Sequence, residues 1–154
     1  MTTKATIVIP CYNDGAYIRD AVASARRQTY PAIEILIVDD GSEDAATKET
    51  LRQLEQEGLC VVRSDHQGVA HARNTGIRRA AGAYILPLDA DDVIEPEYIA
   101  EAIAVLEKDP SVGMVYCEAD FFGERSGKWE MPEFRMEYML TQNVIFNAAV
   151  FRKA

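Results

Sequence analysis

Apolar positions follow two periods along this chain, and the two alternate. Residues 5–10, 33–38, 59–62, 83–88 and 112–116 are short continuous apolar runs with many β-branched side chains. That pattern suits strands buried on both faces. Between them the apolar residues recur at helical spacing. Tyr17/Ile18, Ala21/Val22 and Ala25 mark a helix over 17–28, and Leu51 and Leu54 mark one over 44–57, with Gly58 as its C-cap. Val69, Ala72, Ile77 and Ala80 form the inward stripe of a helix over 69–81, and Ile99, Ile103 and Leu106 that of one over 96–106. Gly76 stands inside the third helix, where glycine costs about 1 kcal/mol against alanine. A close packing contact or a ligand is the expected reason. Past Tyr116 the pattern weakens: residues 121–129 read as a hairpin or loop, 136–140 as a short helix and 143–151 as another strand.

Strand and helix alternate at least four times, with crossovers long enough to return in parallel. The expectation is α/β: an open, mostly parallel sheet with helices on both faces. Such sheets bind ligands at the carboxyl ends of their strands. Each unusual cluster falls at such an end: Tyr12-Asn13 after the first strand, Asp39-Asp40 after the second, Asp65-His66-Gln67-Gly68 after the third and Asp89-Ala90-Asp91-Asp92 after the fourth.

Composition narrows the picture. The 154 residues, 48% hydrophobic and 27% charged, fit one domain with one core, here taken as residues 1–154. A formal net charge of −9 argues against a nucleic-acid or anionic-membrane surface, since both need a basic footprint. No apolar run is long enough to span a bilayer, and Met1-Thr2-Thr3-Lys4 leads straight into a strand-like run without a signal-peptide pattern. Cys11, Cys60 and Cys117 are an odd set beside strand-like runs, expected to be free core thiols of a cytosolic protein.

The chemistry gathers at the strand ends. Three carboxylates within four residues, Asp89, Asp91 and Asp92, repel one another unless a cation lies among them. Asp89 and Asp91 can reach one divalent ion, and Mg2+ is held by few carboxylates plus phosphate oxygens. The plain alternative is a solvated acidic turn capping the next helix. Asp40 can accept hydrogen bonds from ribose hydroxyls or a base N–H. Tyr12 offers a flat face for a base, or is simply a rim aromatic. Gly68 opens the third helix, whose first N–H groups suit a phosphate, and Arg73 can add charge or lie solvated on the helix. His66 and His71 with Cys60 and Cys117 lack zinc-site spacing.

Together, Val8-Ile9-Pro10-Cys11-Tyr12-Asn13, Gln28-Thr29-Tyr30-Pro31, residues 34–42 ending Asp39-Asp40-Gly41-Ser42, the Gly68…Arg73-Asn74-Thr75-Gly76 set and Leu88-Asp89-Ala90-Asp91-Asp92 resemble the family 2 inverting glycosyltransferases. They stand in that family's order and spacing over roughly residues 5 to 120. The resemblance implies the GT-A fold and transfer of a sugar from a nucleotide-sugar donor, expected to be a UDP-sugar, with Mg2+ or Mn2+. It implies that Pro10, Tyr12, Asn13, Asp40, Gly68, Arg73 and Asp89 bind the donor nucleotide. Asp91, with Asp89, would hold the metal–diphosphate.

An inverting transfer also needs a general base for the acceptor hydroxyl. In the family that carboxylate lies beyond the segment resembling residues 143–153. Glu118, Asp120 and Glu130 do not occupy the matching place. The expectation is therefore a donor-binding portion truncated before its base, with no catalytic base of its own. The acceptor, whether saccharide, lipid-linked or protein, is left open. Cell-wall or exopolysaccharide synthesis, in the cytoplasm or at the inner face of the membrane, is the expected setting. The apolar tail (Val144, Ile145, Phe146, Val150, Phe151) is expected to be partly uncovered and to favour a homo-oligomer. Three other readings compete. One is a nucleotide-sugar-binding module without turnover. Another is a haloacid-dehalogenase-type phosphatase, whose D-x-D-x-V motif should follow the first strand. The last is a response-regulator receiver, whose acidic pair should do the same.

Overall fold

The computed structural model describes residues 2–141 and 144–153. Its elements in chain order are β1 (Ala5–Cys11), α1 (Ile18–Arg26), β2 (Ile33–Asp39), α2 (Ala45–Gln56), β3 (Cys60–Arg63), α3 (Val69–Arg79), β4 (Tyr84–Pro87) and α4 (Tyr98–Lys108). After them come β5 (Met114–Val115), β6 (Ala119–Phe121), β7 (Gly127–Trp129), a 3₁₀ turn (Met136–Leu140) and β8 (Val150–Arg152). One six-stranded sheet runs in the order β3-β2-β1-β4-β8-β5, and β6 and β7 form a separate hairpin. Strands β1 to β4 are parallel, whereas β8 is antiparallel to both β4 and β5. This is the mostly parallel α/β sheet that the periodicity predicts.

Strand alternation divides the core between the two faces. Ile7, Ile9, Ile37 and Leu86 point toward α1, α2 and α4, burying Ile18, Leu51, Leu54 and Ile103. Val8, Leu36, Val38 and Ile85 point the other way, toward Ala72 and Ile77 of α3 and Ala80 at its C-cap. One helix thus covers the second face where three cover the first. Asp44 caps α2, its carboxylate accepting from Thr47 N at 2.7 Å. Gly58 ends that helix at φ +90°, with Leu59 N donating to Leu54 O and Gly58 N to Glu55 O, a Schellman pair.

The structure corrects several sequence expectations. Val69 is not inward but 51% exposed, standing as the first residue of α3 beside the loop that leads into it. Of residues 143–151, only the stretch from Val150 is strand, continuing to Arg152, and Asn143 lies outside the described residues. Val144, Ala148 and Ala149 are buried all the same, packed as a loop with Tyr98 Oη donating to Ala148 O at 2.5 Å. Of the apolar tail, Val144 and Val150 are buried while Ile145, Phe146 and Phe151 are only half-buried, so it stays partly uncovered. The fifth strand shrinks to two residues and the fourth to four. Cys11, Cys60 and Cys117 are free thiols, yet only Cys11 is buried. Cys60 is exposed because it opens β3, the outermost strand.

Candidate functional site

The loops at the carboxyl ends of β1, β2, β3 and β4 meet around one cleft of about 330 Å³. Pro10, Tyr12, Asp40, His66, Asp89 and Asp91 are among its lining residues. β1 carries Pro10 to the edge, where the chain turns through Asn13 at φ +60°. The Asn13 side chain faces away from the cleft. Its Oδ1 accepts from Glu43 N (2.9 Å) and Asp44 N (3.0 Å), tying the β1 loop to the start of α2. Gly41, at φ +73°, allows the β2 loop to approach the β3 loop, where a Cβ would stand 2.9 Å from His66 N.

Asp40 is 2% exposed, and its carboxylate organises the next loop. Oδ1 accepts from Gln67 N (3.1 Å), and Oδ2 accepts from Gly68 N (2.8 Å) with His66 Nδ1 at 3.0 Å. The Gly68 N–H is thus spent on Asp40, so this residue serves as the bend into α3, at φ +91°. The bend places His66 against Tyr12, their rings stacked with centroids 4.0 Å apart and planes 22° from parallel.

The acidic stretch follows β4, as the sequence predicts. Arg73, a turn and a half into α3, donates Nη2 to Asp89 Oδ1 at 2.5 Å. Asn147 Nδ2 donates to the other oxygen, Oδ2, at 3.1 Å. Arg73 Nε is buried with no hydrogen-bond partner among the described residues, so the guanidinium retains an unspent donor. Asp91 is exposed. Burial pushes the Asp92 carboxyl up to about 6, assisted by the negative charges of Asp91 and Asp89 and opposed by Arg73. The strand end therefore carries more negative charge than its one arginine offsets.

Of the sequence-predicted residues, Pro10, Tyr12, Asp40, Asp89 and Asp91 share the cleft, while Asn13, Gly68 and Arg73 hold its walls. Two participants were not assigned to it from sequence. His66 sits in a recognised strand-end cluster, but nothing local announces its stacking partner. Asn147 lies 58 residues from Asp89, and no spacing rule joins them.

Comparison with known proteins settles the family. The sequence model described as Glycosyl transferase family 2 matches residues 6–152. The chain belongs to that family. It is 37% identical over 122 residues to an uncharacterized glycosyltransferase of Rickettsia prowazekii, a match that covers 79% of this chain and 38% of the relative. Among solved structures, S. aureus TarS 1-349 superposes with a TM-score of 0.77 at 24% identity, covering 98% of this chain and 47% of that one, a likeness of fold. The mannosyltransferase PcManGT of Pyrobaculum calidifontis, solved with GDP-Man and Mn2+, has a TM-score of 0.66 at 29% identity over 76% of this chain and 36% of its own. The fold is thus that of the GT-A glycosyltransferases, and this chain spans less than half the length of each relative named here. Family membership also leaves the phosphatase and receiver readings without support, in keeping with an acidic motif that follows β4 rather than β1.

The residues present suit a single divalent cation of the sparse kind. Among the described residues no three His, Cys, Asp or Glu side chains are grouped as a cation cage. Asp91 is open, Asp89 is already held by two donors, and the charge around Asp92 is unbalanced. Such a donor set matches an ion that takes one or two carboxylates and completes its shell from phosphate and water.

Proposed function

We propose that this chain forms the donor side of an inverting glycosyltransferase that uses a nucleotide-sugar, with a UDP-sugar as the first donor to test. The observation that carries the reading is the convergence of Tyr12, Asp89 and Asp91 on one cleft at the carboxyl edge of β1 and β4. Tyr12 has one ring face against His66, and its opposite face would take the nucleobase. Stacking of that kind is worth about 1–3 kcal/mol and tolerates different bases. Asp40 holds the Gln67–Gly68 bend and with it the start of α3, so its effect on the nucleoside acts through that loop. Asp91, with Asp89, would hold Mg2+ or Mn2+, and Arg73 would add positive charge beside the diphosphate. A divalent cation bound there supplies charge stabilisation to the leaving diphosphate.

An acceptor hydroxyl attacking the anomeric carbon on the face opposite the diphosphate gives inversion. It must lose a proton to a base as it does so. The relatives are longer than this chain, and the proposal assigns that base to the part of such a protein that follows the matched segment.

Calorimetric titration with UDP and with GDP, each with and without Mn2+, tests the reading. Binding that Mn2+ strengthens, with that gain lost in Asp91→Ala, is expected. A folded protein that binds neither nucleotide would refute the donor site. Binding indifferent to both Mn2+ and Asp91→Ala would refute the metal assignment.

A further inference from the structure

The loop between the 3₁₀ turn and β8 delivers a side chain to the acidic stretch from the far end of the chain. β8 inserts antiparallel between β4 and β5, pairing Ile85 with Phe151 and Tyr84 with Arg152. The loop before it is fixed by the hydrogen bond from Tyr98 Oη to Ala148 O and by Ala149 N donating to Asn147 O at 2.8 Å. Asn147 itself is exposed, so its hydrogen bond to Asp89 does not serve the core. Asp89 is gripped on both oxygens, by Arg73 from α3 and by Asn147 from this loop, at 2.5 and 3.1 Å.

We propose that Asn147 is a positioning residue of the donor site: with Arg73 it sets the plane of the Asp89 carboxylate, leaving each oxygen a lone pair for the cation–diphosphate while Asp91 stays open. A carboxylate oxygen accepts more than one partner, so two donors orient Asp89 without saturating it. Partners outside the ligand shell orient the groups that bind a metal, and their loss typically costs roughly 10- to 100-fold in metal affinity. Arg73 alone leaves the carboxylate free to swing about that one contact. Asn147 removes the freedom. The neutral amide does this without adding charge of either sign to a site whose balance already decides its cation.

This inference rests on the donor-site reading, and the test separates the two. Asn147→Ala and the near-isosteric Asn147→Leu are titrated with UDP and GDP in Mn2+ and, separately, in a chelator, beside the unaltered protein. Thermal unfolding checks that each variant is folded. The expected result is a loss of about tenfold in nucleotide affinity with Mn2+ for both variants, with metal-free binding and the unfolding midpoint unchanged. Wild-type affinity in the Mn2+ arm would overturn the role of Asn147 and leave the donor site standing. An equal loss in both arms would overturn it too, showing a general effect of the loop. If the unaltered protein binds neither nucleotide in either arm, the donor-site reading fails and the positioning role falls with it.

Discussion

Gly76 of α3 lies against Val8 of β1 so closely that a Cβ on the helix would stand 2.2 Å from Val8 Cγ1 and 3.1 Å from Val38 Cγ2. This accounts for a glycine in mid-helix. Its missing side chain lets α3 settle onto the central strands, and that height carries Arg73, three residues earlier, to the level of Asp89.

Gly76→Ala is therefore expected to destabilise the protein although alanine is the better helix former. The propensity gain is about 1 kcal/mol, and overpacking a tight core costs about 1–3 kcal/mol. Val8 is fully buried and has no room to retreat. Urea unfolding should show a lower midpoint at an unchanged slope, and Val8→Ala should recover part of the packing loss in the double variant. A midpoint at or above that of the unaltered protein would contradict the close approach.

Asp40→Asn should weaken the β3–α3 loop. The carboxylate accepts from two backbone N–H groups, at Gln67 and Gly68. An amide offers one acceptor oxygen and turns its NH2 toward a donor. Leaving a buried donor unsatisfied costs about 1–3 kcal/mol, or about 2–4 °C in Tm per kcal/mol for a chain of this size. The unfolding midpoint is the measurement, and an unchanged Tm would show that the loop does not depend on this carboxylate.

The Asp92 carboxyl, raised from 3.8 to about 6, makes stability depend on pH. Between those values the folded state holds a proton that the unfolded state has lost. Stability therefore falls as pH rises through that window and stays reduced above it. Asp92→Asn should be the more stable protein at pH 7 to 8, with the advantage fading below about pH 4. The gap between 3.8 and about 6 caps the gain at roughly 3 kcal/mol, and partial solvent screening lowers it. Mn2+ should shrink the same advantage if it binds beside this carboxyl. Equal stability of the two proteins at every pH would contradict the burial of a charged Asp92.

Tyr12→Ala should lower nucleotide affinity by about 1–3 kcal/mol for uridine and guanosine nucleotides alike, while Tyr12→Phe keeps it, because the ring face and not the hydroxyl contributes. A loss in Tyr12→Phe as large as in Tyr12→Ala would assign the contact to the hydroxyl instead. Calorimetry reads both.

The order of strands and helices, and the gathering of Tyr12, Asp40, Asp89 and Asp91 at strand ends, were legible in the residues. Periodicity is local, so burial writes it into every short window. The outer part of the sheet was less legible. β8 sits between β4 and β5 and runs against both, yet its three residues differ little from the buried loop before them. The burial of Val144 and Ala148 resembles that of a strand in sequence because apolar content alone does not record which backbone groups pair.

The amino-acid sequence by itself determined the alternating α/β architecture, the edge of the sheet where the candidate site lies and the family. What only the tertiary structure decided is how those residues are used. Asp40 is spent on the backbone of the next loop, Tyr12 is backed by His66, and Asp89 is held between Arg73 and an asparagine 58 residues away. Each of these depends on the distance between groups far apart in the chain. Such distances are set by how α3 and β8 pack, not by the spacing of residues within either.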